Sequence, residues 1–398
     1  MLINNFVLEQ YDSYILPTYG REELVFISGQ GSYLTEVDGD KYLDLYPGWG
    51  SACLGHCHKY VIQQINDQAR ELIHVPNNFY HPWQSELAEQ LAMQGFGGLS
   101  FFCNSGAEAN EAAIKLARRY GSPKGRYEII TFDKSFHGRT LATITATGQE
   151  KYQKGFEPLP AGFIHVPFGD FAAVEKAVSD KTCAIMLEFI QGEGGVNVAP
   201  DSFFKQIETL CRKKDILFIA DEVQTSIGRT GSFYGFQTFG VEPDIVTLAK
   251  ALGGGFPIGA MMAKPRLKDV LTAGSHASTF GGNPLACRAA LAVLTVFQQE
   301  KILDNVKEQE SYVRGLLNAL QTSTNIIKEI RGRGLMIGIE FSVPVARLKQ
   351  LCKERHVLIN TIGDTIVRLL PALNIDHKDM QHGINVLGQA IKQLAKEQ

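Results

Sequence analysis

A chain of 398 residues, 44% hydrophobic and 20% charged, can bury a large core and has room for two domains. Its net charge of -3 gives no electrostatic reason to expect nucleic acid or an anionic membrane as partner. No stretch approaches the roughly 20 apolar residues that span a bilayer, and the opening MLINNFVLEQYD carries no basic leader, so a cytoplasmic protein is expected.

Residues 1 to about 45 contain apolar segments at Leu24-Val25-Phe26-Ile27, Tyr33-Leu34 and Tyr42-Leu43, separated by Gly29-Gln30-Gly31 and the Asp38-Gly39 turn. They predict a small antiparallel sheet. Cys53, His56, Cys57 and His58 include borderline-soft ligands, but their spacing is compressed and no second pair follows at a finger-like distance, so no metal is expected. The seven cysteines, an odd number scattered along the chain, read as reduced thiols buried as small hydrophobes.

From Leu99 onward short apolar runs end abruptly in polar or glycine residues, the pattern of buried parallel strands. Leu99–Cys103 ends in Asn104-Ser105-Gly106, and Ile129–Phe132 leads to Phe136-His137-Gly138-Arg139. Ala184–Leu187 passes through Glu188 to Gln191-Gly192-Glu193, Ile216–Ala220 ends in Asp221, and Ile245–Leu248 ends just before Lys250. Helices are predicted between them at Ala107–Arg119 and Phe203–Lys213, giving a doubly wound, mostly parallel α/β domain. Ligands of such sheets sit beyond the carboxyl ends of the strands. That rule would aim Gly106, Arg139, Glu193, Asp221 and Lys250 at one crevice.

After Pro284 long helices are predicted over residues 285–298 and 303–320. An apolar strand at 335–341, a helix near 345–354, strands at 357–359 and 366–370 and a final helix follow. The expected division is a large domain over 50–284 and a smaller α+β domain formed from both chain ends, 1–49 and 285–398.

Several residue types in this pattern carry chemistry. Lys250 follows an apolar run and precedes Gly253, Gly254 and Gly255, a setting for a carbonyl-capturing amine. Ser105-Gly106-Ala107-Glu108 has capping-box spacing ahead of a helix whose N-terminus could cradle a phosphate. Asp221, closing a buried run, needs a cationic partner, which a protonated heteroaromatic nitrogen would supply. Phe136 and Val223 could sandwich such a ring. Together these are the parts of a pyridoxal phosphate site.

The sequence resembles the class III pyridoxal phosphate aminotransferases of fold type I, and among them the acetylornithine aminotransferases, over Pro17 to Asn374. The likeness lies in TYGREELVF, NSGAEANEAAIKLAR, FHGRT, QGEGG, ADEVQTSIGRTG, PDIVTLAKALGGGFPIGA, STFGGNPLAC and RLLPAL. It implies that Lys250 bonds the cofactor and shuttles the proton while Asp221 pairs with the ring nitrogen. Gln224 would approach the ring hydroxyl; Ser105, Gly106 and Ala107 the phosphate; and Phe136, His137 and Val223 the ring. Thr279 would reach the phosphate of a neighbouring subunit, making a homodimer the minimal active unit. Arg139 and Arg368 would hold the substrate's distal and α-carboxylates, bidentately in the manner of arginine. Ser278 and Tyr19 would lie near the substrate. Glu193 would pair with Arg368 when an ω-amine donor is bound and release it for 2-oxoglutarate.

The resemblance thus implies N-acetylornithine:2-oxoglutarate transamination, with ornithine, succinylornithine, 4-aminobutyrate and carrier-linked lysine as competing donors. A racemase or decarboxylase on the same scaffold, or a non-catalytic anion-binding protein, are readings from other classes. Glu193 and Arg368 weigh against the first and Lys250 with Asp221 against the second. Trp49 departs from the family pattern, either reshaping the pocket rim or packing at a subunit interface, while Tyr19 followed by Arg21 tilts the reading to the acylated donor.

Overall fold

A computed structural model describes residues 2–397, so Met1 and Gln398 of the expected small domain lie outside the described residues. Its largest sheet has seven strands, in the spatial order Leu99–Cys103, Gly259–Ala263, Ile245–Leu248, Leu217–Asp221, Thr182–Leu187, Glu128–Phe132 and Phe163–Val166. All are mutually parallel except Gly259–Ala263, which runs antiparallel to both neighbours. The five predicted strands are all present. Gly259–Ala263 and Phe163–Val166 were not foreseen: GAMMA is built of small residues and methionine with low strand propensity, and FIHV is interrupted by a histidine.

Both faces of this sheet are covered, which is why its strands are continuously apolar. Leu217 and Ile219 pack with Ala113, Ile114 and Ala117 of the helix Gly106–Gly121. The alternate residues Phe218 and Ala220 share the opposite core with Phe203, Phe204 and Ile207 of the helix Asp201–Lys214. Strand alternation thus sends one set of side chains to each helical layer, and the sheet is held with its carboxyl edge open.

Beside it stand two four-stranded sheets. One joins Phe26–Gln30, Tyr33–Glu36 and Lys41–Asp44 to Val357–Leu358 from the far end of the chain. The other holds Ile327–Arg333, Met336–Phe341, Ile366–Leu369 and Asn360–Ile362. The helices Pro284–Gln299, Ile302–Ser323, Ala346–Lys353 and His377–Glu397 fall where the sequence predicts them.

The prediction of a sheet across residues 1 to 45 is corrected at its start, where Leu2–Tyr14 is a helix. Its exposed Phe6, Tyr11 and Tyr14 give it no buried apolar stripe to betray the period. Helices Lys59–Glu71 and Pro82–Gln94 were also not foreseen. All seven cysteines are free thiols and six are buried, but Cys57 is exposed, on a turn with φ of 51°. His56 instead faces Asp44 at 3.0 Å and His58 faces Glu300 at 3.0 Å. No helix among the described residues is long and apolar enough to cross a membrane.

Candidate active site

The parallel strands end along one edge of the sheet, and a cavity of about 450 Å³ opens there. Its wall includes Ser105, Gly106, Ala107, Phe136, His137, Arg139, Asp221, Val223, Gln224 and Lys250. Of the five groups expected to converge, Gly106, Arg139, Asp221 and Lys250 therefore line one space. Glu193 stands behind the wall, bonded to Gln224.

Lys250 leaves its strand in the left-handed region, with φ of 41°, where a non-glycine residue stores backbone strain. Gly254 and Gly255, with φ of 58° and 106°, complete the turn. Burial lowers the Lys250 amine to about 8, and the positive Arg368 adds to this against the opposing charges of Glu193, Asp221 and Glu188. A neutral, nucleophilic amine is thus accessible near physiological pH.

At the helix start, Ser105 Oγ accepts from the Glu108 amide at 3.2 Å. The Glu108 carboxylate closes onto the Asn104 amide at 2.5 Å instead of completing a capping box on Ser105. The amides of Gly106 and Ala107 lie in the first turn and have no intrahelical acceptor. A Cβ on Gly106 would stand 2.9 Å from both methyl carbons of Val223, so only glycine lets the backbone line the cavity there.

Asp221 is buried and held from three directions. Its Oδ2 accepts from Asn110 Nδ2 at 2.7 Å and faces His137 Nδ1 at 2.7 Å. Its Oδ1 accepts from the Val223 amide at 3.1 Å. Asn110 in turn donates to the His137 carbonyl at 2.7 Å and accepts from Thr247 Oγ1 at 2.7 Å, so every hydrogen-bonding end of its amide is used. Neither Asn110 nor Thr247 was foreseen. An asparagine among Ala109, Ala112 and Ala113 on a buried helix face is a readable signal, because such an amide needs buried partners.

Glu188 also lines the cavity and accepts from the Phe136 amide at 2.9 Å. Burial first, then the charge of Asp221, pushes its carboxyl well above the ordinary range. Arg139 lies over the Tyr152 ring at 4.0 Å and the Phe136 ring at 5.5 Å, which holds an exposed guanidinium at the cavity mouth.

Arg368, only 1% exposed, donates from its Nη1 to Glu193 Oε1 at 2.6 Å and from Nε to Asn360 Oδ1 at 3.0 Å. Burial pushes the Glu193 carboxyl up, but Arg368 and Lys250 outweigh it and hold the group below its ordinary value. Gln224 spans this pair, donating to Glu193 at 3.2 Å and accepting from Arg368 at 3.4 Å.

Other predicted residues stand apart from the cavity wall. Ser278 Oγ accepts from Asn104 Nδ2 at 3.2 Å, one residue removed from the space itself. Thr279 is exposed, and so is Tyr19, which sits 5.5 Å beneath the Arg21 guanidinium. Trp49 is half-exposed in a turn with φ of 53° and does not reach the cavity.

Residues 18–391 match the family model Aminotransferase class-III. The chain is 47% identical to the acetylornithine aminotransferase of Caldanaerobacter subterraneus subsp. tengcongensis, over 96% of this chain and 98% of that protein. Among solved structures, an ornithine aminotransferase from Toxoplasma gondii, described with partial occupancy of PLP at its active site, superposes with a TM-score of 0.94. Its identity is 31%, over 98% of this chain and 96% of that one. The N-acetylornithine aminotransferase of Stenotrophomonas maltophilia K279a gives a TM-score of 0.84 at 33% identity, over 98% and 100% of the two chains.

Proposed function

The chain belongs to the class III aminotransferases, and from that premise we propose that it moves the terminal amine of N-acetylornithine to 2-oxoglutarate, yielding a semialdehyde and glutamate, a step of arginine biosynthesis. The observation that carries this reading is the pair of Arg368 with Glu193 behind the cavity wall. A site that takes an aliphatic ω-amine in one half-reaction and a dicarboxylate in the other needs an arginine whose charge can be covered and uncovered. The pair is the covered arrangement.

The residues present fit pyridoxal phosphate. The cavity volume is that of a cofactor site, the Gly106 and Ala107 amides offer an anion cradle, and Asp221 Oδ1 carries a single backbone donor. Ser105, Gly106 and Ala107 would hold the phosphate, Asp221 the ring nitrogen, Gln224 the ring hydroxyl, and Phe136, His137 and Val223 the ring. When bound, the cofactor supplies a carbonyl for the amine and a ring that accepts electron density from the carbon losing its proton.

Lys250 Nζ, neutral near its lowered pKa, takes that proton from the donor's amine-bearing carbon and returns it. Arg139 at the mouth holds the distal carboxylate, with Ser278 and Tyr19 toward the substrate side. Asn110 and His137 keep Asp221 in one orientation throughout. Thr279, exposed and off the wall of its own cavity, supports a homodimer in which it reaches the neighbour's phosphate. The large domain over 50–284 carries the cavity in this reading, and both chain ends form the small domain that carries Arg368.

Borohydride treatment of the holoenzyme should leave a pyridoxyl mass on the Lys250 peptide alone. An unmodified Lys250 peptide in protein that retains its yellow colour would overturn the assignment. Free ornithine is the second reading, favoured by the higher TM-score to the Toxoplasma enzyme, 0.94 against 0.84. The 47% identity to an acetylornithine enzyme weighs the other way.

A further inference from the structure

Arg368 is held most closely by two partners, a carboxylate and a neutral amide, that stand on different structural elements. Glu193 lies in the glycine-flanked turn between Ile190–Gln191 and Asn197–Val198, a two-stranded ribbon outside the large sheet. Asn360 lies directly opposite Arg368 in the antiparallel pairing of Asn360–Ile362 with Ile366–Leu369. Its bond to Arg368 Nε, at 3.0 Å, is therefore set by sheet register and does not depend on where Glu193 goes.

Gln224 supplies a second neutral contact at Arg368 Nη1. Gly192 makes room for that amide, because a Cβ there would stand 2.3 Å from Gln224 Oε1. An arginine set free by its carboxylate regains rotamer freedom that an incoming ligand must remove again. A carboxylate at position 360 would prevent that motion but cancel the charge the ligand needs. An amide oxygen anchors Nε and leaves the guanidinium cationic.

We propose that Asn360 is a positioning and specificity-determining residue, a neutral anchor that keeps Arg368 aimed and uncompensated when Glu193 releases it. Asn360 thereby favours the dicarboxylate acceptor and is indifferent to the amine donor. The inference rests on the reading of Arg368 as the clamp for the acceptor's carboxylate.

The test uses the holoenzyme, with each half-reaction followed separately by single-turnover absorbance and with glutarate as an unreactive dicarboxylate. In Asn360→Ala the Kd for glutarate and the KM for 2-oxoglutarate should rise roughly tenfold or more, the worth of a hydrogen bond to a charged group. The KM for the amine donor should stay within about twofold by the same reasoning. Asn360→Asp, nearly isosteric, guards against misfolding of the alanine variant and should weaken the acceptor further while sparing the donor. Unchanged glutarate binding in both variants overturns the proposal, and so does an equal loss for donor and acceptor, which marks a purely structural role. If the unmodified protein forms no glutamate from 2-oxoglutarate, the underlying functional reading fails instead.

Discussion

Replacing Asn110 with alanine is a demanding test of how the site is built. The side chain is 1% exposed and makes three hydrogen bonds at 2.7 Å, to Asp221 Oδ2, the His137 carbonyl and Thr247 Oγ1. A hydrogen bond to a charged group contributes about 1.5–3 kcal/mol and each neutral one about 1 kcal/mol. Asn110→Ala should therefore lower stability by about 3–5 kcal/mol, with the His137 carbonyl and the Thr247 hydroxyl left buried and unpaired. Asn110→Asp should cost more, because it sets a second carboxylate against Asp221 and the His137 carbonyl where two N–H donors stood. Equilibrium urea denaturation of the three proteins, with and without added pyridoxal phosphate, measures both effects. The stabilisation conferred by the cofactor should shrink in Asn110→Ala, since Asp221 loses one of the two groups holding Oδ2. A variant within about 0.5 kcal/mol of the parent, the usual range for inert surface changes, would refute the assignment of Asn110 as the residue that fixes Asp221.

Three further outcomes follow from the same geometry. With Lys250 lowered to about 8 from 10.5, the neutral amine at pH 7 is roughly 300-fold more abundant than for a free lysine. The rate at which apoprotein captures pyridoxal phosphate, followed by absorbance, should be half-maximal near pH 8 and level off about one unit higher, and a climb continuing past pH 10 would contradict the lowered value. Glu222, fully buried and accepting from the Gly235 and Phe236 amides, is raised to about 7, chiefly by burial. Between pH 4.5 and 7 the folded chain holds a proton there that the unfolded chain has lost. This group's contribution to stability therefore falls by about 3 kcal/mol as pH rises through that window, and denaturation midpoints for Glu222→Gln should lack that part of the slope. Gly106→Ala should displace Val223 and weaken cofactor binding by about 1–3 kcal/mol, with Val223→Ala in the same chain restoring part of the loss; an additive double variant would mean the two do not touch.

What could be read from the sequence follows the periodicity and the strand ends. The apolar runs closing at Asp221 and just before Lys250 are legible because parallel strands buried on both faces are uninterrupted and stop at a functional edge. Gly259–Ala263 was missed because its two glycine and alanine ends give no strand propensity. Helix Leu2–Tyr14 was missed because its aromatic residues face outward and leave no apolar stripe. Within the site, single charged residues at strand ends announced themselves, whereas the groups that aim them did not. Asn110 sits on a helix and Thr247 within a strand, and each acquires meaning only through a partner distant in sequence, while Asn360 acquires it only through the hairpin register that sets it opposite Arg368. Glu188 was passed over as the end of a strand, although a lone carboxylate closing a fully buried strand carries the same signal as Asp221.

Substrate choice tests the proposed function most directly. Glutamate formation from 2-oxoglutarate should be measured as kcat/KM for N-acetylornithine, N-succinylornithine, ornithine, 4-aminobutyrate and a lysine derivative, all with the same holoenzyme preparation. N-acetylornithine should give the highest value, with activity abolished in Lys250→Ala. A clear preference for another donor would contradict the substrate assignment, and no glutamate from any donor would contradict the proposed reaction itself.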